Sequence, residues 1–471
     1  MNMSKHKGKA EKSLYQTVMK MVPAVLTALI STALGFIALY TSPVPMIKDF
    51  GKMLTLGMAV SFIVGVFILI PVLFTRDHFF HSRKNENSAK NNRGTAEKIL
   101  SSLTQKLLTF RWSIIIIAFL TAGLGIWVDL EAGAETDVEN FMPQDTQELE
   151  DIQRLREILG TTDQISIIYE ADNVTKEEVI LWVDHITQSL SEDYPETIVG
   201  SRSITSALRQ MNEGKLPQQE SLDIQINDMP ENQRKLLINE TQTKGVIAVG
   251  IKHLEGEPLK GFLERLDDYL ERKGVNGIET TVTGKAVLDA EMVIALTSGR
   301  YKMTLLGMGL VFVGLLAIYR HPVKAFLPLL PIILIVGWSG GAMHMMGMEY
   351  TPLTATLGAL IIGIGTEFTI LIMERYFEER KKGRASRMAI GIANQKAGKA
   401  IFASAFTTIG GFSALLISDF VILSNFGLMT LINISLALIS TMIVMPAILI
   451  ILDRFVKIKH EDKNVEAANA G

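Results

Sequence analysis

Glu367 is the residue in this chain best placed to do chemistry. It lies in Leu353–Met373, LTATLGALIIGIGTEFTILIM, a run with no other charge. At 1.5 Å per residue that run is long enough to cross a bilayer. An ionised, unpaired carboxylate at such depth costs several kcal/mol, so an acid there is first read as a proton or ion site. Ala359, Gly363 and Glu367 recur every fourth residue and share one helix face. The small residues on that face let a second helix approach closely, so the acid is expected in a helix interface or cavity, away from lipid. Burial there favours the neutral form, as a proton carrier requires. The plainer reading is a protonated acid making one structural hydrogen bond. Thr407 and Thr408, on the following apolar segment, could bond Glu367 across helices, or bond the preceding turn of their own helix. Glu374 comes seven residues after Glu367 and near its face, either as a proton exit or as a solvated helix-end charge beside Arg375 and Arg380.

Other chemistries find little support. His344 stands among Met343, Met345 and Met346, soft donors suited to copper, but no methionine cluster elsewhere would complete such a site. His185 lacks a partner at ligand spacing. With no cysteine, disulfides, cysteine-ligated zinc and thiol catalysis are excluded. No HExxH, GxSxG, P-loop or dinucleotide fingerprint occurs, so neither an enzyme nor a cofactor is expected.

The elements that must hold Glu367 follow from hydropathy. Apolar residues make up 48% of the 471 and gather in about eight runs of membrane length. These are Val22–Tyr40, Met53–Phe74, Trp112–Val128, Met303–Ile318, Ala325–Met343, Leu353–Met373, Ala400–Ile417 and Phe426–Leu452. No cleavable signal peptide is evident. The net charge of −3 conceals an asymmetry: Glu131 to Arg300 holds about 33 acids and 16 bases. The basic excess falls in short connections, Lys5–Lys20, Arg76–Arg111, Arg320–Lys324, Arg375–Lys399 and Arg454–Lys459. With a cytoplasmic N-terminus, all five lie inside and the acidic region lies outside, as the positive-inside rule requires. Basic segments flanking membrane helices do not point to nucleic acid.

Residues 130–300 alternate strand and helix patterns. Gln164–Tyr169, Ile198–Gly200, Gly245–His253 and Ile278–Gly284 read as strands. Two amphipathic helices intervene, KEEVILWVDHITQSL and LKGFLERLDDYLERKG, an order that predicts a ferredoxin-like α+β domain. The parts expected are a start with two helices (1–75), a polar linker ending in an interfacial segment (76–111), one helix (112–129), the outer domain (130–300), a five-helix domain bearing the acid (301–454) and a tail (455–471).

There is also an internal repeat. With Lys20 set against Lys396, about a third of the positions to Met53 and Met429 are identical, including Thr32 with Thr408 and Gly35 with Gly411. The first two helices are therefore expected to copy the last two.

The segment Gly363-Ile364-Gly365-Thr366-Glu367-Phe368, running into Glu374-Arg375-Tyr376-Phe377-Glu378-Glu379-Arg380, resembles the RND superfamily and within it the MMPL, or hydrophobe/amphiphile-efflux, branch. Thr407–Phe412 (TTIGGF) and Val282–Val287 (VTGKAV) are similar to the same branch. The resemblance implies an α-helical polytopic membrane protein of about eight transmembrane helices with one extracytoplasmic ferredoxin-like porter domain. It implies proton-driven export of hydrophobic or amphiphilic molecules such as lipids or drugs, with Gly363, Thr366 and Phe368 framing Glu367. This chain departs from the family's usual Asp-Tyr, having Glu367-Phe368 in its place. In the family two six-helix halves face each other, so a partner chain or an upstream segment is expected to supply the first repeat. A non-transporting lipid sensor or protein-export accessory of the same architecture is the alternative.

Overall fold

The computed structural model describes residues 23–69, 71–72, 75, 109–135, 138–159, 163–254 and 256–456. The basic N-terminal segment, residues 76–108 of the polar linker with the start of its interfacial part, and the tail from residue 457 lie outside them. Two compact units emerge: residues 1–132 with 295–471, and Gly133–Ile294.

In chain order the first unit begins with α1 (Pro23–Thr41), α2 (Pro45–Ile68) and α3 (Arg111–Asp129). The second unit contains β1 (Asp163–Glu170), α4 (Glu177–Asp193), β2 (Ile198–Arg202), β3 (Lys244–Ile251), α5 (Gly256–Arg272) and β4 (Glu279–Thr283). The first unit resumes with α6 (Arg300–Tyr319), α7 (Pro322–Met345), α8 (Thr354–Lys381), α9 (Ser386–Ile417) and α10 (Val421–Phe455). Eight of these helices are long and apolar enough to cross a membrane.

The helices outrun the apolar segments that announce them. α8 continues through Glu374–Lys381, and α9 begins at Ser386, far upstream of Ala400. Apolar length marks what fits in hydrocarbon, but backbone hydrogen bonds persist into water where side chains pair. At the end of α8, the buried Glu379 carboxylate meets Arg375 at 2.8 Å, Arg384 at 3.0 Å and Lys382 at 3.3 Å. Arg380 reaches Asp453 at the foot of α10, 2.8 Å away, and Ser386 donates to the same carboxylate. The turn closes at Gly383, whose φ of 79° suits glycine.

The expected repeat is structural. α1 tightens into a 3₁₀ turn at Ala38–Thr41 and α9 does so at the aligned Ala414–Ile417. In both copies a serine side chain then accepts from the N–H two residues on, Ser42 from Val44 and Ser418 from Phe420. In both, the next helix seats a glycine on the leucine of that turn: Gly51 over Leu39, Gly427 over Leu415. Phe50 and its counterpart Phe426 touch edge to face at 5.9 Å. Equivalent residues that meet each other mark an approximate two-fold axis relating the copies.

The α+β unit has the sheet order β2-β3-β1-β4, all neighbours antiparallel, which is the ferredoxin-like arrangement. Alternate residues of β1 and β3, among them Ile165, Ile167, Ile247 and Val249, are buried and pack with Val183 and Ile186 of α4 and Phe262 and Leu266 of α5. Tyr169 pairs with Gly245 across β1 and β3. A Cβ on Gly245 would lie 2.7 Å from the Tyr169 Cε2, inside the ring's own space. Gly245→Ala is therefore expected to destabilise this unit by about 1–3 kcal/mol. Thermal unfolding followed by limited proteolysis within residues 163–283 would read this as an earlier loss of protection.

Candidate functional site

α8 is enclosed on several sides by contacts that only small residues permit. A Cβ on Gly363 would stand 2.9 Å from Thr32 Cγ2 and 3.1 Å from the Phe36 ring of α1. Gly35 of α1 answers it, its Cβ position 2.9 Å from Ile362. Thr32 Oγ1 lies 3.0 Å from the Gly363 carbonyl oxygen, a hydrogen bond between helices. Gly307 of α6 adjoins Ile362, and Gly365, on the far side of α8, adjoins Ile332 and Ile335 of α7. In consequence 78% of an apolar 18-residue stretch of α8 is buried, against 6% for α2 and 11% for α9 over stretches of the same length.

One line along α8 is left incompletely covered. Ile364, Glu367, Leu371, Glu374 and Glu378 are each partly exposed, and they follow one another by three and four residues. That spacing is the seam a packed helix partner would occupy. Glu367 sits near the middle of it. Among the described residues its carboxyl has neither a cation nor a hydrogen-bond partner. In hydrocarbon such a group is either carried neutral or met by something beyond these residues.

The other residues expected at the site divide. Gly363 makes the close approach to α1 and belongs to the setting of Glu367. Thr366 is buried and spends its hydroxyl on its own helix, 2.7 Å from the Ile362 oxygen. Phe368 is buried in the membrane core, about 100° around α8 from Glu367. Thr407 and Thr408 do not bond Glu367: they donate to Ala403 and Ser404 of their own helix at 2.8 and 2.9 Å. A threonine in a helix finds the carbonyl four residues back before it finds a neighbour. The cross-helix bond is instead made by Thr32, the counterpart of Thr408 in the first copy. Glu374 lies on the seam, whereas Arg375 and Arg380 pair with Glu378, Glu379 and Asp453. His344 is exposed at the end of α7, and no group of metal-binding acids and histidines occurs among the described residues.

Asp129 is a further buried carboxylate that the sequence reading did not single out. Asp129, the last residue of α3, accepts from Arg300 at 2.6 Å, from the Tyr350 hydroxyl at 2.7 Å and from the Tyr301 hydroxyl. Arg300 also donates to the Asp129 carbonyl oxygen at 2.8 Å. Its guanidinium carbon stands 3.7 Å from the ring centre of Tyr350 and 4.3 Å from that of Tyr301. A small cavity of about 30 Å³ adjoins this cluster. The carboxylate rests on bare backbone, since a Cβ on Gly340 would come 2.8 Å from Asp129 Oδ2. The sequence does carry a signal for it. Ala118, Ala122, Gly125 and Asp129 are spaced by four, three and four, but Asp129 falls just past the apolar run. The two acids thus differ in kind: Asp129 has its counter-charge built in, and Glu367 has none among the described residues.

Comparison with known proteins fits this architecture. Residues 260–469 match the model of the MMPL family. The chain is 26% identical over 355 residues to the putative membrane protein MJ1562 of Methanocaldococcus jannaschii, covering 73% of this chain and 91% of that protein. It is 24% identical over 227 residues to the probable transport protein MmpL8 of Mycobacterium bovis, covering 47% of this chain and 21% of that one. Among solved structures, the hedgehog release protein Disp from the water bear Hypsibius dujardini superposes with a TM-score of 0.67 at 13% identity. That superposition takes in 91% of this chain and 58% of Disp, and it establishes likeness of fold. The chain therefore spans nearly all of one relative and only about a fifth of another.

Proposed function

We propose that this chain, an RND-type membrane protein with an MMPL membrane domain, is a subunit of a proton-driven exporter of hydrophobic or amphiphilic molecules. The observation that carries the reading is Glu367, at mid-depth of α8 on a half-open seam, without a cation among the described residues. A carboxyl so placed can take up a proton from one side and release it to the other as the seam is covered and uncovered. The charge asymmetry supports cytoplasmic termini and an extracytoplasmic α+β unit in a cell membrane.

The seam also calls for a partner. In the first copy of the repeat, Thr32 and Gly35 grip α8 at Gly363 and Ile362. Their counterparts on α9, Thr408 and Gly411, are partly exposed and exposed. Among the described residues nothing comes within 4 Å of a Cβ placed on Gly411. By the two-fold relation, this face takes a helix of the α8 kind, supplied by a partner chain or a further segment carrying the first repeat. The chain has no cysteine, so Gly411→Cys introduces a unique thiol. In native membranes its thiol is expected to resist maleimide, as the buried counterpart Gly35→Cys does, and to become reactive once the chain is purified alone in detergent. Free maleimide labelling of Gly411→Cys in native membranes would sink the partner assignment.

Transport itself is tested in vesicles. With the protein reconstituted as the assembly purified from native membranes and a proton gradient imposed, Nile red is expected to leave the membrane faster than from protein-free vesicles, and an uncoupler should abolish the difference. Nile red binding with a flux indifferent to the uncoupler would favour a lipid sensor over a pump.

A further inference from the structure

The first unit gives up the chain after Ala132 and takes it back at Ala295. Asp129 stands just before the point of exit, and Arg300 just after the point of return. The two roots of the α+β unit are thus fastened to each other by one buried ion pair, with both side chains under a tenth exposed. The return root carries a further feature. Ala295–Gly299 is a π turn, a one-residue insertion that often marks a place where a helix can change register.

What lies behind this pair connects it to α8 by two routes. The first runs through α7. A Cβ on Gly125 would overlap the Gly337 carbonyl, and one on Gly337 would overlap that of Ala122. α3 and α7 thus meet backbone to backbone, leaving no side-chain layer to absorb a displacement. α7 in turn seats Ile332 and Ile335 on Gly365, two residues from Glu367. The second route is Tyr350, which stands in the short connection entering α8 and bonds the Asp129 carboxylate directly. Burying two charges is costly unless every donor and acceptor is matched. Here the carboxylate accepts three donors, and the guanidinium lies against two aromatic faces. Such a cluster tolerates rigid movement as a whole far better than being pulled apart.

We propose that Asp129 and Arg300, held by Tyr301 and Tyr350, form a positioning clamp that carries movement of α8 to both roots of the α+β unit. The proposal rests on the transport reading above but can be measured apart from it. Glu131→Cys, at an exposed position two residues past Asp129, supplies a single thiol at the exit root. In proteoliposomes, imposing a proton gradient is expected to change its maleimide labelling rate at least about threefold. Asp129→Asn and Tyr350→Phe should each remove most of that response and slow Nile red export, Asp129→Asn more strongly. Arg300→Lys, which keeps the charge, should retain more of the response than Arg300→Gln. A merely structural role would lower the amount of protein without changing the gradient response of what remains.

If Asp129→Asn does not accumulate in membranes, Tyr350→Phe carries the test, because it leaves the ring over Arg300 in place. Wild-type labelling that ignores the gradient while export runs would overturn the clamp and leave transport standing. A Tyr350→Phe chain with full response and full export would also overturn it. If export proves independent of the gradient, the transport reading fails. The clamp then stands only if labelling still responds to the gradient and Asp129→Asn abolishes that response.

Discussion

Glu367→Gln is expected to cut gradient-driven Nile red export at least about tenfold, while the protein accumulates and folds as before. Glutamine keeps the length, the planarity and most of the hydrogen-bonding capacity of a neutral glutamic acid, and it loses only the proton that can leave. If the carboxyl served as a protonated structural group, the amide would serve as well, and export would continue at the wild-type rate. The reason to expect loss is the site's geometry: the group stands on the seam of α8, and the nearby hydroxyl of Thr366 is already spent on its own helix. Glu367→Asp, which keeps the acid and shortens the arm by one methylene, should retain a measurable part of the flux. The assay must contain whatever partner covers the seam, because a half-covered carboxyl does not report on the assembled one. Wild-type flux from the Gln variant under those conditions removes the proton-coupling role.

Gly337→Val is expected to have the largest effect on the folded protein. The atoms nearest its added carbon belong to the backbone of Ala122, which no rotamer change can move aside. α3 and α7 would have to separate along their whole contact, and the Asp129 seat on Gly340 would open with them. Overpacking of this kind costs about 1–3 kcal/mol where neighbours can yield and more where they cannot. Little folded protein should reach the membrane, and what does should unfold at a clearly lower temperature in detergent. Gly410→Ala is the control, since its Cβ would meet open space among the described residues. A Gly337→Val chain as stable as the Gly410→Ala chain would show that the close contact of α3 and α7 does not hold the membrane unit together.

The helix count, the ferredoxin-like sheet, the repeat and the place of Glu367 inside a helix of membrane length were all legible in the sequence. Each rests on a local pattern: hydropathy over one span, alternation along β1 and β3, or identity between aligned segments. What the sequence left open lay where a residue had to choose between neighbours. Thr408 and Thr32 have the same type and the same place in the repeat, yet only Thr32 bonds across to α8. The difference comes from what faces each copy, and no window of sequence contains that. Asp129 escaped for a related reason. A carboxylate at the edge of an apolar run reads as a boundary charge until its guanidinium, 171 residues away in sequence, is seen beside it.

By itself, then, the sequence determined which segments are apolar enough for hydrocarbon, which strands alternate and where an acid interrupts an apolar run. Those follow from transfer free energy and backbone periodicity, which act over a few turns. Only the tertiary structure decided which glycines meet backbone, which acid has a counter-charge and which face of α8 stays uncovered. Those depend on contacts between residues far apart in the chain, where a difference of one side chain decides whether two helices touch.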